Sequence, residues 1–264
     1  MADAWQFQSS AVTHRGMVRE ENEDAYLVMD DVGLWLVADG VGGHDAGRMA
    51  SNTLVELVRT IGRPAGAMDL MARLEHRLVE ANRVLRDRAA ANGWQGCATT
   101  VVVLLVADGA MACVWSGDSR LYRLREGRLI QVSHDHSEVQ ALLDAGVLTA
   151  ETARDWPRGN VITRAIGPDE EPDLDVVQDD LLDGDVFVLC SDGLTRHLSD
   201  REIEALAALP STQEACNALV AEALARGGED NVTVVVVRCR AEQVPLSPEG
   251  TGRGLLALPA GQPG

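Results

Sequence analysis

Seven short apolar runs, each bounded by glycine, aspartate or another turn former, set the rhythm of the chain: residues 25–29, 34–38, 99–107, 111–115, 121–124, 186–190 and 232–237. Runs this short, rich in valine and leucine, predict strands, several of them buried on both faces. Asp108-Gly109 separates the third run from the fourth, and Glu126-Gly127 separates 121–124 from a further run at 128–132. Such dipeptides favour the tight turns whose twist matches that of antiparallel strands, so hairpins and largely antiparallel sheets are expected.

A different period governs the segments between the strands. Leu70, Leu74, Leu78, Ala81 and Leu85 share one helical face, with Arg73, Arg77, Arg83 and Arg86 off it, which predicts a helix packing one side onto a sheet. Residues 45–61, 137–145, 200–209 and 212–225 are further helix candidates, with Ser211 and Asp200 positioned as N-caps and Gly227 as a C-terminal stop. Helices and hairpins interleave without a regular β-α-β alternation, which predicts an α+β layered sandwich. Residues 169–185 hold nine acidic side chains and no basic one, read as a solvated acidic loop and strand edge. From Glu242 onward proline, glycine and small residues dominate, so the chain divides into a folded domain, 1–240, and a flexible tail, 241–264.

Composition narrows the chemistry. The 264 residues carry 23 basic and 41 acidic side chains, a net charge of −18, and 46% of them are hydrophobic, enough for one sizeable core. A field of that sign repels phosphate backbones, and no basic patch offsets it, so nucleic acid is excluded as a partner. Every basic residue is arginine. Without lysine there is no Schiff base and no P-loop, whereas the planar guanidinium grips phosphate well. The five cysteines are scattered through apolar runs with no C-x-x-C pair, as expected of small core residues in a reducing compartment. No leader-like N-terminus and no apolar run long enough to span a bilayer is found, which predicts a cytoplasmic chain without membrane contact, taken as a monomer.

The residues that could carry chemistry are aspartates at strand ends: Asp24, Asp39, Asp118, Asp192 and Asp230. A rigid sheet aims side chains from such positions into one cleft, and hard cations such as Mg²⁺ or Mn²⁺ prefer oxygen ligands. Singly, Asp39-Gly40, Asp192-Gly193 and Gly117-Asp118 are ordinary turn dipeptides that need no metal. Their order within longer strings is more specific. The strings are Val18-Arg19-Glu20-Glu21-Asn22-Glu23-Asp24-Ala25, Val37-Ala38-Asp39-Gly40-Val41-Gly42-Gly43-His44, Gly117-Asp118-Ser119-Arg120-Leu121-Tyr122, Ser133-His134-Asp135-His136-Ser137, Thr163-Arg164-Ala165-Ile166-Gly167, Ser191-Asp192-Gly193-Leu194 and Asp230-Asn231-Val232-Thr233. In this order and spacing, from about Thr13 to Arg238, the chain resembles the bacterial branch of the metal-dependent serine/threonine protein phosphatases, type 2C.

That resemblance implies an α-β-β-α sandwich of two antiparallel sheets flanked by helices, with two Mn²⁺ or Mg²⁺ ions in a cleft at one end of the sheets. It makes Asp39 the carboxylate that bridges both ions and gives the Gly40 carbonyl to the first. Asp192 and Asp230 become ligands of the second ion, and Glu23 and Asp24 hold waters around the pair. Arg19 matches the arginine that grips phosphate, and His44 is the candidate general acid for the leaving alkoxide, with orientation of substrate or water as its competing role. Asp118, with Asp192, matches the support of a third and weaker ion, but Arg196 stands where relatives commonly have aspartate or asparagine, and a positive charge there opposes a cation. Residues 136–160 match a flap beside the cleft, a short helical hairpin punctuated by Gly146, Pro157 and Gly159, and Thr99-Thr100 matches a structural pair.

The implied function is hydrolysis of phosphoserine and phosphothreonine in proteins by water activated between two divalent ions, opposing a bacterial serine/threonine kinase in signalling. Its partners are then phosphoproteins, among them that kinase and its targets. Two other readings fit the same residues: a binding module that has kept the fold and lost turnover, and a two-metal hydrolase of a phosphodiester or small phosphate ester. The retained Asp39, Asp192, Asp230 and Arg19 argue against the first.

Overall fold

The computed structural model describes residues 5–94, 96–153 and 156–242; of the proposed tail, 241–264, Ala241 ends the last strand, and residues 243–264 lie outside the described residues. The strands are β1 (Trp5–His14), β2 (Asp24–Met29), β3 (Leu34–Val41), β4 (Ala98–Thr99), β5 (Val101–Ala107), β6 (Ala110–Ser116), β7 (Arg120–Arg125), β8 (Arg128–Gln131), β9 (Asp175–Asp180), β10 (Val186–Cys190) and β11 (Val232–Ala241). The helices are α1 (His44–Arg59), α2 (Ala67–Asn92), α3 (Glu138–Asp144), α4 (Ala150–Ala153), α5 (Asp192–Thr195), α6 (Asp200–Ala207) and α7 (Thr212–Ala225). One sheet runs β1-β11-β10-β7-β8 and the other β2-β3-β5-β6-β9 with β4 paired to β3, and every pairing is antiparallel.

Alternation along each strand sorts side chains into three apolar layers, because successive residues of a strand point to opposite faces. On β3, Leu34, Leu36 and Ala38 face a layer shared with α1 and α2, while Trp35 and Val37 face the space between the sheets. Val235, Val237 and Cys239 of β11 meet them there, and Val232, Val234 and Val236 turn the other way onto α5, α6 and α7. The result is the expected α+β sandwich, helices outside and two sheets inside. Burial on both faces is why these strands read as unbroken apolar runs. Asp108 and Glu126 adopt positive φ (53° and 52°) and are followed by Gly109 and Gly127 (80° and 76°), the backbone of a twisted two-residue hairpin turn.

Four details depart from the sequence reading. The run 99–107 is broken at Thr100, whose N–H leaves the sheet to bond the Asp39 carbonyl at 2.8 Å. Ser199, not Asp200, is the N-cap of α6, in a reciprocal capping box with Glu202. β1 was not foreseen. The acidic segment does form an edge strand, β9, but its carboxylates are paired: Asp173 and Asp175 with Arg164, Asp179 with Arg123, and the fully buried Asp185 with Arg125 through two bonds of 2.7 Å. All five cysteines are buried and free.

Candidate metal centre

Strand order and turn chemistry bring the aspartates to one end of the sandwich. Asp24 opens β2 and lies opposite Asp39 in the β2–β3 ladder, so the two carboxylates belong to neighbouring strands. Asp192 follows the end of β10 at the start of α5, Asp230 precedes β11, and Asp118 sits in the β6–β7 connection. Burial together with the charges of Asp24, Asp192, Asp118 and Asp230 holds the Asp39 carboxyl well above the usual range, so the other four all act on Asp39. Asp24 and Asp118 are pushed up to about 7 and about 8, mainly by burial, with neighbouring carboxylates adding to the effect. An excess of buried negative charge of this size calls for cations.

Backbone close packing sets the spacing. A Cβ on Gly40 would lie 2.2 Å from the Gly47 carbonyl oxygen and 2.7 Å from that of Glu23, so only glycine fits beside Asp39. Thr99 Oγ1 donates to the Asp39 carbonyl at 3.0 Å and the Asp39 N–H donates to Thr100 Oγ1 at 3.1 Å, which gives the threonine pair a bracing role. Gly117 packs against Thr100, and its N–H donates to His136 Nδ1 at 3.2 Å. His136 in turn stacks on Trp115 and reaches Asp175 through Nε2, so this histidine braces the Asp118 loop. Burial lowers its pKa, which keeps Nδ1 free to accept.

Several residues that hold the cluster escaped the sequence reading. Ser191 Oγ and Thr233 Oγ1 each donate to Asp24 Oδ2 at 2.7 Å. Asn231 accepts the Glu23 N–H at 2.8 Å and donates to the Arg15 and Glu21 carbonyls at 2.9 Å each, which fastens the loop bearing Arg19 and Glu23, just before Asp24, to the turn bearing Asp230. The only signal was position: Ser191, Asn231 and Thr233 flank the aspartates. Removing that clasp with Asn231→Ala is expected to destabilise the protein by about 3 kcal/mol, near 1 kcal/mol for each hydrogen bond. Urea unfolding checks this, and an unchanged midpoint would mean that the loop is held by other contacts.

The donor set suits a hard cation. The candidate donor atoms are oxygens alone, and Asp24 Oδ1 and Asp192 Oδ1 are buried without any hydrogen-bond partner. Among the described residues, though, no three His, Cys, Asp or Glu side chains stand as a ready-made cage. Arginines intervene: Arg196 bonds Asp192 and lies 3.1 Å from Asp230, and Arg19 bonds Asp230 at 2.8 Å. The structure therefore brings Asp24, Asp39, Asp118, Asp192 and Asp230 together with Arg19, and adds Arg196. Glu23 lies against Gly47 in the first turn of α1. His44 begins α1 close in sequence to Gly40, but its side chain lies outside the described residues. Beside the carboxylates opens a cavity of about 1050 Å³, bordered by Asp118, Asp192 and Arg196 on one side and by Ser137, Gln140 and Asn160 of the flap on the other.

Comparison with known proteins converges on one family. A family model described as protein phosphatase 2C matches residues 14–227. The serine/threonine protein phosphatase PstP of Mycobacterium tuberculosis is 36% identical over 229 residues, 86% of this chain; the chain spans 44% of that protein's length. Among solved structures, PppA, a key regulatory component of T6SS in Pseudomonas aeruginosa, superposes with a TM-score of 0.83 at 38% identity, covering 90% of this chain and 98% of that one. The catalytic domain of PstP in complex with two manganese ions superposes with a TM-score of 0.81 at 34% identity, covering 90% and 100%.

Proposed function

The chain belongs to the protein phosphatase 2C family of metal-dependent serine/threonine protein phosphatases, and from that premise we propose that its acidic cleft hydrolyses phosphoserine and phosphothreonine in proteins with two divalent ions, Mn²⁺ or Mg²⁺. The observation that carries this reading is the cluster of Asp39, Asp192 and Asp230 with Arg19 on its rim. When bound, the ions supply water acidified toward neutral pH and a positive clamp on the phosphoryl group in flight.

The chain's own residues do the rest. Asp39, the Gly40 carbonyl, Asp192 and Asp230 would hold the ions, with Asp118 at the edge of the set, and Glu23 and Asp24 would hold waters around them. Arg19, about half exposed, has the fork to take two phosphate oxygens once it leaves Asp230. His44, four residues beyond Gly40 in sequence, would give its proton to the serine or threonine alkoxide as the ester bond breaks. The cavity of about 1050 Å³ beside the flap residues Ser137, Gln140 and Asn160 is where we place the polypeptide on either side of the phosphorylated residue.

The charge of −18 disfavours nucleic acid and leaves phosphoproteins as partners, among them a serine/threonine kinase and its targets. No helix of the described residues is long and apolar enough to cross a membrane, and we assign the activity to the cytoplasm. We take 1–240 as the catalytic domain, consistent with the family match over 14–227.

The deciding measurement is phosphate release from a phosphothreonine peptide, first with EDTA and then with added Mn²⁺, beside the Asp192→Asn variant. Turnover that requires Mn²⁺ and is lost in the variant is expected. Tight phosphopeptide binding without turnover would instead make the chain a binding module.

A further inference from the structure

Arg196 stands one helical turn after Asp192, and its guanidinium lies across the two carboxylates that the phosphatase reading gives to a single divalent ion. One nitrogen bonds Asp192 Oδ2 and the other is 3.1 Å from Asp230 Oδ2, the oxygen that also takes Arg19. Meanwhile Asp192 Oδ1 is buried with no partner at all. Half of that carboxylate is thus held by arginine and half is unsatisfied, a costly state for a charged group away from water. A planar fork of five donors spans two carboxylates as a compact ammonium would not.

We infer that Arg196 is a built-in counter-cation that competes with the divalent ion for Asp192 and Asp230 and must leave both as the ion loads. This rests on the metal-dependent reading above. In the metal-free protein the guanidinium offsets part of the repulsion within the carboxylate cluster. An arriving double charge takes its oxygens and repels it, since like charges at this range oppose one another strongly where water is scarce. The arginine has somewhere to go. It already borders the cavity of about 1050 Å³, with only 28% of its side chain exposed at present. The consequence is a phosphatase whose affinity for its metal is set lower than its carboxylates alone would give.

The test is calorimetric titration of Mn²⁺ into the metal-free full-length chain, with thermal melting before and after saturation, for wild type, Arg196→Gln and Arg201→Gln. Arg201 is an exposed arginine on the same cavity and serves as the control for net charge. In Arg196→Gln the Mn²⁺ Kd is expected to fall by about tenfold or more, the scale of one or two charge-assisted hydrogen bonds no longer broken on loading. The metal-free protein should melt lower and gain more from Mn²⁺ than wild type does, whereas Arg201→Gln should leave the Kd within about twofold, as expected for a distant screened charge. An Arg196→Gln protein that binds Mn²⁺ no more tightly than wild type, or an equal tightening in Arg201→Gln, overturns the inference and leaves the phosphatase reading standing. Wild type that takes up no Mn²⁺ overturns both.

Discussion

Replacing Asp39 by asparagine is expected to lower Mn²⁺-dependent turnover by at least about a thousandfold, the several kcal/mol that a bridging anionic ligand contributes to a two-metal site. The side chains have the same shape, so the change is one of charge. Asparagine offers a neutral carbonyl where the proposed site needs an anion shared by two cations. The fold should be unaffected, because what ties this position into the sheet is its backbone. The Asp39 carbonyl accepts from Thr99 Oγ1 and the Thr100 N–H, and its own N–H donates to Thr100 Oγ1. Removing the charge also relieves the cost of its burial and the repulsion from Asp24, Asp192, Asp118 and Asp230, which together hold the Asp39 carboxyl well above its usual range. The metal-free variant should therefore melt at or slightly above the wild-type temperature while losing most of the rise that Mn²⁺ produces. kcat at saturating Mn²⁺ and paired melting curves check both halves. Near-normal kcat would remove Asp39 from the metal site.

This combination, a fold that tolerates the change and a function that does not, reflects how the site is distributed along the chain. The strands were legible where both faces are buried, as in β3 and β5, because nothing interrupts their apolar run. β1 was hidden because Gln6, Gln8, Ser9 and Ser10 dilute its pattern, while its stability comes from ten paired positions along β11 that no local window contains. The acidic strand edge at β9 was legible, but the pairing of its carboxylates was not, because Arg123 and Arg164 are contributed by other parts of the chain. α2 reaches beyond its leucine stripe at both ends, where packing no longer selects apolar residues and the arginine- and alanine-rich sequence sustains the helix by propensity.

For the site, the sequence carried the identities of the aspartates and their family order, but not the bonds that aim them. The contacts of Ser191 and Thr233 with Asp24, or of Asn231 with the Arg19 loop, join strands that the chain visits far apart, and hydroxyl and amide side chains beside a turn have many ordinary uses. Arg196 was visible as a departure in sequence. Its place between Asp192 and Asp230 was not, because that requires knowing that the end of β10 and the start of β11 are neighbours.

That neighbourhood can be disturbed directly at Gly193. A Cβ built there lies 1.9 Å from the Asn231 carbonyl oxygen and 2.9 Å from its carbon, far inside contact distance, and these two nearest atoms are backbone. The backbone angles of Gly193 are ordinary, so alanine is penalised by space alone. β11 is anchored on both sides by β1 and β10, which leaves α5 to move. Gly193 follows Asp192 and Asn231 follows Asp230, so any movement that relieves the clash separates the two carboxylates. Gly193→Ala is expected to destabilise the protein by about 3 kcal/mol, lowering Tm by about 6–12 °C for a domain of this size. It should also cut kcat/KM by roughly a hundredfold, as displacements near 1 Å do in a positioned site. Gly96→Ala is the matched control, since the nearest atom to its Cβ is 4.0 Å away, and it should change neither quantity. Differential scanning calorimetry and Mn²⁺-dependent phosphopeptide kinetics on the two variants separate the outcomes. A Gly193→Ala protein that melts and turns over like wild type would mean that α5 yields cheaply, and that the spacing of Asp192 and Asp230 is set elsewhere. Loss of turnover with an unchanged Tm would place the strain in the carboxylates themselves, making the close approach of α5 to β11 a feature kept for catalysis more than for folding.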